Sequence, residues 1–208
     1  MTINLPISLT LIRLIISPIV LPFLLFNFFP TASTQTHYLL AGLFAFLTLT
    51  DFFDGYLARK YGQVTKVGAL LDPMADKFLV FSTLITLLAL GQIYFFWVII
   101  FIGREFFVLG FRIAALERGF SIPVDWFGKL KTVAQSFYLL ILIGNDHTVP
   151  LVDQVEYVSL ITALVLTLIS GIHYYRSFSK RWERYSSNVH SNEIITESLE
   201  SSHDVLLS

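Results

Sequence analysis

The chain has 208 residues, 55% of them hydrophobic and only 14% charged, with a mean hydropathy of +0.70 and a formal net charge of −1. That balance excludes a soluble globule built on one large core and gives no electrostatic reason to expect nucleic acid, which leaves a one-domain integral membrane protein in a lipid bilayer. Cysteine is absent, which excludes disulfides and leaves the redox compartment open.

Apolar segments at about 5–29, 37–60, 68–91, 93–116, 126–145 and 155–178 predict an all-α fold of about six transmembrane helices joined by short turns. The first run contains Arg13, Pro18 and Pro22 and is followed by no small-residue cleavage site, so it is expected to stay as the first helix. It is entered through Asn4-Leu5-Pro6-Ile7-Ser8-Leu9-Thr10, where a proline near a helix start and polar residues at an interface are ordinary.

Between the second and third segments, residues 51–76 read DFFDGYLARKYGQVTKVGALLDPMAD, placing four carboxylates at the seam of two apolar runs. With a rise of ~1.5 Å per residue from His37 and Gly91, Asp51 and Asp54 fall ~21 and ~26 Å deep, and Asp76 and Asp72 ~22 and ~28 Å deep. The pairs therefore share one layer just inside one interface. Asp51, Asp54, Gly55 and Ala58 lie on one helix face, and Gly68, Asp72 and Asp76 on another, so small residues accompany the acids and permit close approach. Pro73 either kinks the third helix or opens it with Asp72 as the cap. Four like charges in a poorly hydrated layer need a counter-charge. With no Cys in the chain and no His nearby, the donor set points to hard divalent cations, Mg²⁺ or Mn²⁺. The bland alternative is interfacial salt bridging of these acids by Arg59, Lys66 and Lys77.

The fourth segment holds Gly103-Arg104-Glu105 and Gly110-Phe111-Arg112. Arg104 lies ~15 Å from the end at Tyr94, near mid-membrane, and must reach a cavity. The arginines are expected to line a cationic pocket for an anionic acceptor, the alternative being that Glu105 and Arg112, which share a face at i and i+7, simply pair. The fifth helix is entered through Trp126-Phe127-Gly128-Lys129-Leu130-Lys131, where cations and aromatics fit the membrane interface equally well. His173 in the sixth segment reads as an interfacial anchor, and residues 181–208 as a polar, disordered tail. Lys and Arg are missing from residues 30–37, 91–94 and 145–155 and plentiful at the opposite ends of the segments. By the positive-inside rule those opposite ends, with both termini and the aspartate layer, are cytoplasmic, which predicts a multi-pass protein of the inner (cytoplasmic) membrane.

The pattern Asp51-x2-Asp54-Gly55-x2-Ala58-Arg59-x8-Gly68-x3-Asp72-x3-Asp76 resembles the signature of the CDP-alcohol phosphotransferases, membrane enzymes that join an alcohol to the phosphatidyl group of CDP-diacylglycerol. The resemblance covers roughly residues 3–178. It implies two divalent cations held by Asp51, Asp54, Asp72 and Asp76, with Asp76 also the catalytic base. It further implies a CDP-diacylglycerol site at Thr10, Asp54, Gly55, Ala58, Arg59 and Gly68. The run Asn4 to Arg13, the pair Arg104-Glu105 and the run Gly128-Lys129-x-Lys131-Thr132-x2-Gln135 are similar to the branch of the family that uses glycerol 3-phosphate. That similarity implies an acceptor site at Arg104, Arg112, Lys129 and Lys131 and phosphatidylglycerol phosphate as product. Inositol phosphate, serine or phosphatidylglycerol as acceptor, and a homodimer, stay open. A cation-coupled transporter is the rival class. It predicts inverted repeats or paired broken helices, and neither is visible.

Overall fold

The computed structural model describes the backbone of residues 18–60, 66–120, 122 and 126–207, and the side chains of 18–50, 77–120, 122 and 126–185. All regular structure in these residues is helical, as expected. Helix α1 (18–28) runs into a 3-10 turn at Phe29–Thr31 and is followed by α2 (Thr34–Lys60), α3 (Lys66–Ala89), α4 (Phe95–Glu117), α5 (Trp126–Gly144) and α6 (Pro150–Leu207).

Local chemistry sets the helix ends. The Ser33 hydroxyl accepts the Thr36 amide at 3.4 Å, an N-cap that opens α2 three residues ahead of His37. At the close of α3, Gly91 sits at φ +72° with its amide on Leu88 O (3.0 Å), and Gln92 N reaches Leu87 O (2.9 Å). Gly119, at φ +77°, closes α4 in the same way, with Phe120 N on Ala115 O at 3.1 Å. Both are left-handed glycine caps that satisfy carbonyls the helix cannot.

Helical backbone begins at Lys66, seven residues ahead of Pro73, so Pro73 lies inside α3 and Asp72 does not cap it. Helix α6 continues to Leu207 through the stretch whose composition suggested a disordered tail. No Gly or Pro follows Gly171, so the chain after it contains no strong helix breaker.

Helix α6 packs along α5 and α4, α5 also packs on α2, and α3 touches α4 and, more lightly, α2. The main core joins Leu21 and Leu25 of α1, Phe44 of α2, Leu84 and Leu87 of α3, Phe101 of α4 and Tyr138, Leu139 and Ile143 of α5. A smaller core of Val108, Ala115, Ile122 and Tyr174 closes the other end of α4 against α6. Buried hydroxyls return to their own helix: Thr83 donates to Leu79 O (2.8 Å), Thr86 to Ser82 O (2.8 Å) and Thr167 to Ala163 O (2.6 Å). Small polar residues at such interfaces permit close packing where surrounding lipid removes most of the hydrophobic drive between helices.

Much apolar side-chain surface faces outward. On α6, Leu151, Val155, Val158, Ile161, Val165, Leu168 and Ile172 are exposed at spacings of three or four residues, a continuous apolar stripe suited to lipid. Among the described residues, the segment Pro150–Tyr185, with hydropathy 1.9, is the one helix long and apolar enough to cross a membrane by itself.

The end free of Lys and Arg is knitted by hydrogen bonds. Thr34 of α2 donates to Asp146, His37 Nδ1 lies 3.0 Å from Ile143 O, and the Asn145 amide donates to Asp153 (2.8 Å) and Glu156 (2.7 Å). The Thr34 hydroxyl, helped by Thr148, holds the Asp146 carboxyl at about 2. Replacing Gly91 with Ala places a Cβ in left-handed backbone and should lower unfolding stability in detergent by about 1–2 kcal/mol. Gly42→Ala, at a mid-helix position where an added Cβ meets nothing within 4 Å, should be neutral or stabilising. Thermal unfolding of the two variants side by side checks both.

Candidate active site

The four aspartates fall on two helices that touch: Asp51 and Asp54 in the last three turns of α2, Asp72 and Asp76 in the first three turns of α3. The backbone preserves the spacings i, i+3 and i, i+4 that put each pair on one face. Their side chains, with those of Gly55, Ala58, Arg59 and Gly68, lie outside the described residues, as does Thr10 entirely.

The described side chains reveal a second charged centre. Glu105 of α4 is buried and takes cations from three helices. Its Oε1 accepts the Lys131 ammonium of α5 and Nη1 of the neighbouring Arg104 at 2.9 Å, and its Oε2 lies 3.5 Å from Lys77 Nζ of α3. Space for Arg104 comes from small neighbours: a Cβ on Gly171 would lie 3.5 Å from Arg104 Cγ, and one on Gly128 3.8 Å from Nη2. Both are ordinary contact distances, the first to the Arg104 stem and the second to its guanidinium. Three cations against one carboxylate leave the cluster itself with two net positive charges, and where it is buried these attract anions more strongly than in water.

Counting ~1.5 Å per residue from the Lys- and Arg-free end, Lys77 lies ~21 Å deep, Glu105 ~16 Å and Lys131 ~20 Å. This is close to the depth reached by Asp51 and Asp76. The same arithmetic that groups the aspartates would have grouped Lys77 and Glu105 with Lys131, and this signal was missed in the sequence.

The structure thus unites Arg104 and Lys131 of the expected acceptor set, while Arg112 and Lys129 stand apart. Glu105 does not pair with Arg112, because a separation of seven residues is ~10 Å along the axis, whereas Lys131 faces Glu105 directly across the α4 and α5 contact. Among the described residues Arg112 is half-buried and makes no ion pair. Lys129 is exposed and Lys131 buried because two helical residues differ by about 200° in direction, so the two lysines cannot share one face. His173 meets Phe127 in a tilted ring contact, 5.5 Å between centroids.

Another ligand-type group, His147, Asp153 and Glu156, gathers its atoms within 4.8 Å at the opposite end of the bundle. There the Asn145 amide already bonds both carboxylates, so the group serves to lock the loop between α5 and α6.

A bundle with an acidic pair on each of two adjoining helices and a cationic cluster at similar depth has the parts of a membrane enzyme acting on phosphate esters. Residues 3–169 match the family model for CDP-alcohol phosphatidyltransferase, and the chain belongs to that family of membrane enzymes. Among its relatives is the probable phosphatidylglycerophosphate synthase of Mycobacterium tuberculosis H37Rv, 38% identical over 176 residues, spanning 82% of this chain and 79% of the relative. The CDP-diacylglycerol–glycerol-3-phosphate 3-phosphatidyltransferase of Rickettsia bellii is 36% identical over 179 residues, spanning 85% and 96%. The enzyme of the same name from Bacillus subtilis is 35% identical over 192 residues, spanning 86% and 96%.

Removing the shared carboxylate leaves three cations facing one another. Glu105→Ala should therefore destabilise the protein by about 3 kcal/mol or more, whereas exposed Lys129→Ala should stay within about 0.5 kcal/mol. Unfolding in mixed micelles measures both.

Proposed function

We propose that this protein transfers the phosphatidyl group of CDP-diacylglycerol to glycerol 3-phosphate, giving phosphatidylglycerol phosphate and CMP. The observation that carries this reading is the cluster of Lys77, Arg104 and Lys131 around Glu105. Its excess positive charge suits a phosphorylated alcohol and has no use for serine or another acceptor lacking a phosphate. The relatives named for this reaction match over more than four-fifths of the chain.

The donor set of Asp51, Asp54, Asp72 and Asp76 is all oxygen and formally tetra-anionic, which fits two hard divalent cations, Mg²⁺ or Mn²⁺. Bound there, such ions would neutralise charge on the diphosphate and on the departing CMP. The chain's own residues do the rest. Gly55, Ala58 and Gly68 leave room beside the acids for the nucleotide, and Arg59 and Thr10 add donors for the CDP group. Arg104 and Lys131, with Arg112 and Lys129 nearer the surface, draw in the acceptor phosphate and hold its free hydroxyl toward α3. Asp76 takes the proton as that oxygen bonds to the β-phosphorus, and the bond from this phosphorus to the CMP oxygen breaks.

Residues 1–180 make up the catalytic domain, crossing the bilayer six times, with 181–208 continuing as a polar cytoplasmic extension. The end without Lys or Arg faces away from the cytoplasm, so the active site opens to the side where nucleotide-activated lipid is used. A bacterial inner membrane fits this orientation.

Purified protein supplied with CDP-diacylglycerol, glycerol 3-phosphate and Mg²⁺ should release CMP and form phosphatidylglycerol phosphate. Plain glycerol should be a poor acceptor and excess EDTA should stop turnover. Equal rates with glycerol, or full turnover in EDTA, would sink the corresponding part of the reading. Asp76→Asn should keep measurable CDP-diacylglycerol binding while losing turnover, because an amide offers an oxygen but takes no proton. Near-normal turnover of this variant would send the search for the base elsewhere.

A further inference from the structure

Taking glycerol 3-phosphate as the acceptor, as proposed above, we infer that Glu105 is the positioning residue of the acceptor-phosphate site and that Lys77 is one of its cations. Both oxygens of Glu105 are engaged, Oε1 by Lys131 and Arg104 and Oε2 by Lys77. A carboxylate so occupied is a template: it sets how far apart cations from α3, α4 and α5 stand.

Charge matching supports the assignment. One carboxylate cancels one of three cations, and the two remaining positive charges equal the charge of a phosphate monoester, about −1.5 to −2 at neutral pH. A neutral polyol would leave that charge uncompensated. One donor is also unspent, since the buried Arg104 Nε has no partner among the described residues, as expected of a guanidinium that has a further acceptor to meet.

Exposure gives the cluster a direction. The side chains of Lys131, Arg104 and Lys77 are 4%, 12% and 31% exposed, so the cluster is closed at α5 and opens at α3. Lys77 directly follows Asp76 in the chain. The opening therefore lies on the helix that carries Asp76, the residue assigned to accept the acceptor's proton, and the Glu105–Lys77 pair ties phosphate binding on α4 and α5 to that helix.

A helix staple with no part in binding is the competing account. Stability alone gives little reason for it, because apolar residues of similar volume in place of a buried ion cluster are often neutral or stabilising. The two accounts separate in steady-state kinetics. Glu105→Gln keeps the shape and loses the charge, letting Lys131, Arg104 and Lys77 repel. It should raise the KM for glycerol 3-phosphate tenfold or more while the KM for CDP-diacylglycerol stays within twofold. Glu105→Asp keeps the charge with a shorter reach and should recover part of that loss. Lys77→Gln should raise the same KM severalfold, and adding it to Glu105→Gln should cost less than the product of the two single effects, since the pair acts as a unit. If Glu105→Gln fails to fold, Glu105→Asp and Lys77→Gln carry the same readout. Equal changes in both KM values, or a folded Glu105→Gln with unchanged glycerol 3-phosphate KM, would overturn the positioning role. An unchanged KM in Lys77→Gln would remove Lys77 from the site. A parent protein that does not use glycerol 3-phosphate would overturn the acceptor assignment itself.

Discussion

One carboxylate shared by three cations constrains the middle of this bundle. In a protein whose outer surface is apolar, association of helices gains little from hiding more apolar area, so polar contacts decide which helices meet and at what height. Glu105 engages α3 through Lys77 and α5 through Lys131 from its place on α4. The constraint is strongest for α3, which packs less extensively on its neighbours than α5 and α6 pack on each other. An ion cluster is costly to desolvate and adds little to net stability, but it is intolerant of displacement, because any misplaced member is left as an unpaired charge.

The two ends of the bundle are built differently, and each suits its side of the membrane. The end lacking Lys and Arg uses neutral and acidic groups: Thr34 with Asp146, His37 with the Ile143 carbonyl, and Asn145 with Asp153 and Glu156. The other end is basic and aromatic. Arg118 lies over the Trp182 ring at 4.6 Å, and Phe111, Phe120 and Trp182 surround Phe178. Such groups suit the headgroup region, where a ring buries its body and a cation keeps its charge wet.

Function follows from a division of charge between helix pairs. Helices α2 and α3 carry the acids and α4 and α5 the cations, and Lys77 is the member of the cationic set carried on an acidic helix. A reaction that joins an anionic alcohol to an anionic diphosphate needs both, since each substrate must be neutralised separately before the two can approach. Lys77 therefore links the cationic cluster on α4 and α5 to the helix that bears Asp72 and Asp76.

The helical class and the bounds of α2 to α5 within a few residues were legible in the sequence, because they depend on local periodicity. The family was legible too, since its motif is a local spacing on α2 and α3. Packing partners were not. Lys129 and Lys131 are alike in a string of letters, yet one faces outward and the other enters a buried cluster, and only the docking of α5 against α4 distinguishes them. Glu105 offered Arg112 as a partner on its own helix, and the fold supplied Lys131 and Lys77 from two others. Sequence determined what each helix carries; the tertiary structure decided which faces meet, because helix rotation is set by packing against neighbours that lie dozens of residues away.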